Sequence, residues 1–318
     1  MNKKRTLCAY VTLLAILLCA CSQNVIREDA ARQNLPAIDP SLGMTRDENI
    51  TFYFKLQGED LLVPVLRRVT VGPYEDLGMS VVKKLIQGPL EDEPYVESAI
   101  PLNVKALDIE MLDTTARLTL SAEILGRGSY SGTQQEILYR QRMSVYAFIN
   151  TLCASVKTID RVEILIDTDN SGIGRRVSPF MLGFFAQNGS DWLEPLTKNE
   201  EAVATLQKTV AMPLNYLALQ RLDGAYRLFY QNTLPVYDDF VKFFRDTCRI
   251  THYELAGVVQ NDINLAGEAV LNLTWTNAGG RVFTLEGAHV RVHYSGYIYR
   301  LDYPSLTGVM LDEVNRND

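Results

Sequence analysis

The stretch NVKALDIEMLDTTARLTLSAEI, residues 103–124, decides the class of fold. NVKALDIEML (103–112) and TARLTLSA (115–122) have strand composition, and only Asp113-Thr114 separates them. Moving toward the N-terminus, residues 75–87 (EDLGMSVVKKLIQ) set Leu77, Val81 or Val82, and Leu85 at helical spacing. Gly88-Pro89 stops that helix, because glycine accepts a left-handed C-cap and proline cannot continue the hydrogen-bond ladder. Before it, ITFYFKLQ and LLVPVLRRVT read as two more strands, broken at Gly58-Glu59-Asp60. Toward the C-terminus a longer helix over residues 132–154 has Ile137, Met143 or Val145, Phe148 and Leu152 for its buried stripe, and the strand RVEILID (161–167) follows. The order is ββαββαβ, which predicts an α+β domain with helices packed on a sheet, assigned here to residues 49–196.

Residues 171–196 are irregular and rich in Gly, Pro and aromatics, suited to covering a sheet edge or packing between domains. A second domain is expected over 197–318. Two helices, over 200–232 and 237–248, carry Leu222, Tyr226, Phe229, Tyr230, Phe240, Phe243 and Phe244 at three-and-four spacing. HYELAGVVQND, GEAVLNLTWTN, RVFTLEGAHVRVHYSG and YIYRLDY then read as an antiparallel meander, with a turn at Asn277-Ala278-Gly279-Gly280. Helices first and a long meander afterwards predict a curved sheet wrapped on helices.

The N-terminus is of another kind. Lys3, Lys4 and Arg5 precede an uncharged apolar run, residues 7–18, which has the length of a signal-peptide core and is short for a membrane-spanning helix. Leu18, Ala20 and Cys21 stand in the order of a lipobox, so residues 1–20 read as a lipoprotein signal peptide and Cys21 as the lipidated mature N-terminus. Buried acyl chains supply about 0.8 kcal/mol per methylene. Residues 21–48 read as a flexible tether. The chain carries 31 basic and 38 acidic residues, a net charge of −7, and loss of the three basic signal residues makes it −10. Such a charge gives no reason to seek nucleic acid or anionic lipid. The expected membrane contact is therefore the lipid, and the expected location is extracytoplasmic. In an exported protein Cys153 and Cys248 are able to form a disulfide. Each also sits in an apolar helical pattern, where a buried free cysteine acts as a small hydrophobe, and that reading is favoured.

Few residues suggest chemistry. In DTDNSG (167–172), Asp167, Asp169 and Ser171 before Gly172 imitate the first half of a calcium loop, but Ser178 stands where a bidentate glutamate belongs, so a polar turn is preferred. His289 and His293 share a strand face with Arg291 but lie about 13 Å apart at strand rise, too far for one zinc ion. An acid/base pairing of His252 or His293 with Asp238 or Asp239 is the one catalytic alternative. No catalytic motif, metal set or cofactor motif is expected. Tyr294, Tyr297, Tyr299 and Tyr303 divide between core packing and a contact surface. Arg67-Arg68 and Lys83-Lys84, set against Glu91, Asp92 and Glu93, are solvated faces or partners between copies of the chain.

Four stretches in order, VVKKLIQGP (81–89), AIPLNVKALDIEMLDTTARLTLSAEI (99–124), EILYRQRMSVYAFINTL (136–152) and VKTIDRVEILID (156–167), resemble the GerMN domain of spore-germination and sporulation lipoproteins. That family usually follows its last strand with Asp-Gly, where this chain has Asp167-Thr168-Asp169-Asn170 and a longer insertion. YLALQRLDGAYRLFYQN (216–232) with YDDFVKFFRD (237–246) is similar to the opening helices of NTF2-like, or cystatin-like, folds. The first resemblance implies a non-enzymatic module that packs side by side in envelope assemblies. The expected function is thus an envelope scaffold, partnered by envelope proteins or by its own copies in a ring or filament, in sporulation or germination. The second resemblance carries fold only and leaves an alternative: a small molecule or cell-wall fragment bound, or weakly hydrolysed or isomerised, in the C-terminal cone.

Overall fold

The computed structural model describes residues 43–126, 132–185, 191–261, 266–295 and 297–317. By proximity of their Cα atoms, Asp47–Val69 and Asp76–Asp318 form one compact unit, and the turn Thr70–Glu75 falls outside it.

Strands β1 (Arg46–Leu56) and β2 (Leu62–Val71) are followed by helix α1 (Leu77–Gln87) and the two-residue strand β3 (Val96–Glu97). β1 begins inside the stretch that reads as tether. Asp76 caps α1 by accepting the Met79 N–H at 2.8 Å, and α1 ends at Gly88 as the sequence predicts. β4 (Ala106–Leu112) and β5 (Thr115–Ser121) form the hairpin around Asp113-Thr114, with Asp113 left-handed at φ 54°. Helix α2 (Gln134–Ser155) starts in a reciprocal cap between Thr133 and Glu136, then delivers the chain to β6 (Arg161–Asp167). β6 runs parallel to β5, a pairing that needs a long crossover, and α2 provides it.

These strands build two sheets, not the single one expected. One has the order β2-β1-β3; the other has the order β4-β5-β6-β7, with β7 at Leu196–Thr197. β3 covers only the end of β1, pairing at Lys55 and Leu56, and α2 closes part of the edge that remains. Thr151 Oγ1 accepts the Tyr53 N–H at 3.0 Å, and Ser155 Oγ both accepts from Thr51 N and donates to Thr51 O at 3.1 Å. Helix hydroxyls thus take the place of a neighbouring strand. The irregular segment after β6 covers that strand's edge: Ile166 and Arg175 exchange backbone hydrogen bonds at 2.9 and 3.0 Å, and β7 pairs with Arg161 and Val162. Within this segment Gly183 has φ +79°, and a Cβ there would lie 1.8 Å from the Leu138 carbonyl oxygen.

The C-terminal part opens with α3 (Leu206–Ala218), α4 (Leu222–Leu228) and α5 (Tyr237–Lys242), the last running into a π turn, Phe243–Thr247. The single helix expected over 200–232 is corrected to two. Thr205 starts α3 by accepting the Lys208 N–H, and Gln220, left-handed at φ 57°, ends it so that Leu222, Ala225 and Phe229 turn to the core that Leu214 and Leu217 face. Strands β8 (Cys248–Asn261), β9 (Ala266–Asn277), β10 (Val282–Ser295) and β11 (Ile298–Leu301) form the antiparallel meander. Register shifts at Ile250/His252, Leu255/Gly257 and Leu285/Ala288 are bulges, which bend and twist a sheet. A last helix, α6 (Tyr303–Asn317), lies beyond the expected final strand. Asp302 starts it by accepting the Ser305 N–H at 3.1 Å, and Leu306 and Met310 are fully buried. The space between helices and sheet is filled by Phe229, Phe240, Phe244, Trp275, Leu301 and Met310.

Candidate functional site

The turn between β1 and β2 brings acidic groups to the seam between residues 49–196 and 197–318. Gly58 takes φ +75°, a conformation that residues with a side chain rarely adopt, and the guanidinium of Arg227 lies 3.1 Å from where a Cβ would stand. The next residue, Glu59, is buried and accepts a hydrogen bond from the Tyr216 hydroxyl at 2.5 Å. Burial raises the pKa of Glu59 above its ordinary value, although the Tyr216 hydrogen bond and the charge of Arg227 pull the other way. Tyr216 is pushed up to about 12, by burial first and by the carboxylate second, so it stays a donor at neutral pH. Alongside, Leu62 donates to Ala202 O and accepts from Ala204 N, both at 2.8 Å, tying β2 to the chain that leads into α3.

Two cavities open beside this seam. A cleft of about 760 Å³ is lined by charges of both signs, and these answer one another. Lys55 Nζ lies 2.7 Å from Glu97 and 3.9 Å from Asp60, while Glu136 is held below its usual range by the Thr133 N–H. The second cavity, about 400 Å³, lies between Leu56, Gln57, Pro94 and Tyr95 on one side and Tyr226, Arg227, Leu228, Gln231 and Arg300 on the other. Arg300 is only 3% exposed, donates from Nη1 to Arg227 O at 2.7 Å, and places its guanidinium 4.6 Å from the Tyr95 ring centre.

The residues singled out in the sequence are scattered. Cys21, the signal peptide and most of the tether lie outside the described residues. Cys153 and Cys248 are free thiols, both pushed up to about 11 with burial as the main cause, and so are protonated at neutral pH. The carboxylates of DTDNSG are turned inward on the loop: Asp167 accepts from Ser171 N and Gly172 N, while Asp169 accepts from Ser171 Oγ and pairs with Arg175. His289, Arg291 and His293 do alternate with buried Val290 and Val292. His289 meets Glu268 at 3.0 Å; His293 stacks on Tyr230 and lies 3.3 Å from Asp302, not beside Asp238 or Asp239. Asp302 in turn accepts from Thr233 and Ser305, so it anchors α6 and the loop before α5. His252, Asp238 and Asp239 are exposed, and among the described residues no hydrogen bond or ion pair joins the histidine to either acid. Of the tyrosines, Tyr299 joins the core and packs 5.3 Å from the more exposed Tyr294. Arg67 is not available to a second copy: it is paired with buried Glu93, and its guanidinium lies 4.6 Å from the Phe54 ring centre. Arg68 pairs with Asp47 at 2.8 Å.

Glu59, Tyr216, Tyr95 and Arg300 were not marked by sequence pattern. Arg300 had one signal, a lone charge within the otherwise apolar and aromatic run YIYRL.

Residues 51–170 match the family model described as Germane, sporulation and spore germination, a span that contains all four of the stretches that resemble GerMN domains. No curated protein matches the chain. Among solved structures, the tandem GerMN domains of the sporulation protein GerM from Bacillus subtilis are similar at 12% identity and a TM-score of 0.32, with 54% of this chain and 51% of that one covered. The chain therefore spans about half the length of that structure. A candidate lipoprotein from Clostridium perfringens is similar at 21% identity and a TM-score of 0.24, with 38% and 76% covered. From within β1 to just past β6, residues 51–170 are similar to the Germane family of sporulation and spore germination.

Proposed function

We propose that the protein is an extracytoplasmic lipoprotein, held to the membrane through Cys21, that serves as a non-enzymatic scaffold or partner-binding module in sporulation or spore germination. The observation that carries this reading is the Germane match over residues 51–170. The lipobox at Leu18–Ala20–Cys21 supports the anchor, and among the described residues no helix is long and apolar enough to cross a membrane. In this reading the C-terminal part is an NTF2-like module whose packed aromatic core favours a structural role over a ligand in the cone. Partners are envelope proteins or further copies of the chain.

Two experiments test it. Cys21→Ala should release the protein from the membrane fraction and abolish labelling by palmitate; retention with unchanged labelling would remove the anchor. Sedimentation of the soluble chain from Ser22, over a wide concentration range, should give rings, filaments or a growing mass. A strict monomer that also retrieves no envelope partner by crosslinking in cells would end the scaffold reading.

A further inference from the structure

Most buried charges in this molecule have a partner close by. Glu93 has Arg67, Glu163 has Arg117 and Arg176, and Glu59 has the Tyr216 hydroxyl and the nearby charge of Arg227. Arg300 differs. Its Nη1 donates to a backbone carbonyl and its face rests on Tyr95, but its Nε has no acceptor, and among the described residues no carboxylate forms an ion pair with it. Burial disfavours its charge, against an opposing influence from Tyr95. A buried guanidinium without a counter-charge is costly, and this one lines a cavity of about 400 Å³.

We propose that this cavity is a binding site for an organic carboxylate, whose oxygens accept hydrogen bonds from the Arg300 guanidinium while its hydrocarbon part lies against Leu56, Pro94 and Leu228. The size falls in the range of small-molecule sites, and Gln57 and Gln231 provide amides to orient a second polar group. One unmatched positive charge calls for one negative charge. The neighbouring Arg227 is already set beside Glu59, and among the described residues no lysine lines the cavity, so a phosphate dianion would bring more negative charge than the site can match. The planar carboxylate also suits the guanidinium fork. The proposal does not depend on the envelope reading: a monomer in sedimentation would leave it standing, and its own failure would leave the scaffold intact.

The test is a titration of the soluble chain from Ser22, labelled with ¹⁵N, with sodium propionate and with N-acetylalanine, following the Arg300 Nε–H and the Tyr95 amide. Saturable shifts at both groups are expected, with N-acetylalanine N-methylamide giving none. Arg300→Gln should weaken binding at least about tenfold, the loss expected when charge-assisted hydrogen bonds are removed. Arg300→Lys, which keeps the charge but not the fork, should retain part of it. No saturable shift with either carboxylate, or equal shifts with the amide, would overturn the site, and that result rests on the unmutated protein. Equal or tighter saturation by inorganic phosphate would overturn the carboxylate assignment.

Discussion

On β2, Arg67 turns inward to Glu93 and the rings of Phe52 and Phe54, while its neighbour Arg68 turns outward to Asp47. Replacing Arg67 by Ala strands a carboxylate that is 4% exposed and should cost about 3–5 kcal/mol in urea unfolding. The same change at Arg68, 74% exposed, should cost about 0–1 kcal/mol. Equal losses at both positions would mean that burial does not set the value of these pairs. Glu59 makes a pH-dependent prediction. Its pKa is raised on folding, so the folded state binds the proton more tightly and the chain gains stability as pH falls toward the unfolded value. Glu59→Gln keeps an acceptor for Tyr216 without the charge, and should raise the melting temperature by roughly 1–4 °C at pH 8. The difference should shrink as pH falls toward about 4.5; one that grew instead would make attraction to Arg227 the larger effect. A basic doublet and an acidic cluster are visible in the sequence, but alternation along β2 gives them opposite surroundings, and which one meets Glu93 is a matter of packing.

At the scale of elements, the caps and stops of α1 and α2 are written locally. Asp76, Gly88, Thr133 and Glu136 act within three or four residues of the backbone groups they serve. α6 also had a local signal, since Leu306, Met310 and Val314 recur at intervals of four. The division of α3 from α4 had a weaker one, because it rests on a left-handed Gln220, a conformation its residue type does not announce. The edge of β1 is decided by the tertiary fold. Thr151→Val keeps the shape of the side chain and removes the acceptor for the Tyr53 N–H, so it should cost about 1–3 kcal/mol. Hydrogen exchange should quicken at the Tyr53 amide while α2 stays protected; unchanged exchange there would show that the helix hydroxyl is not what closes the edge.

At the scale of the whole molecule, the seam joins Glu59 to Tyr216 and Leu62 to Ala202 and Ala204 within one compact unit. Calorimetry of the soluble chain should therefore give one cooperative transition, and two resolved peaks would show that the halves unfold separately. The sequence by itself determined most of the succession of elements and the stop of α1, because helical and strand periods and the φ preferences of Gly and Pro act over a few residues, whereas the short strands β3 and β7, the break between α3 and α4, and α6 were not expected from it. It also carried the spaced stretches on which the resemblance to the Germane family rests. Only the tertiary structure decided that the first part has two sheets, that α2 closes an open strand edge, and that Arg300 is buried against Tyr95 with no carboxylate partner among the described residues. The partners in these contacts lie far apart along the chain, as Glu59 and Tyr216 do at 157 residues. Hydrophobic periodicity says which face of an element is buried; what that face is buried against follows only when the layers pack.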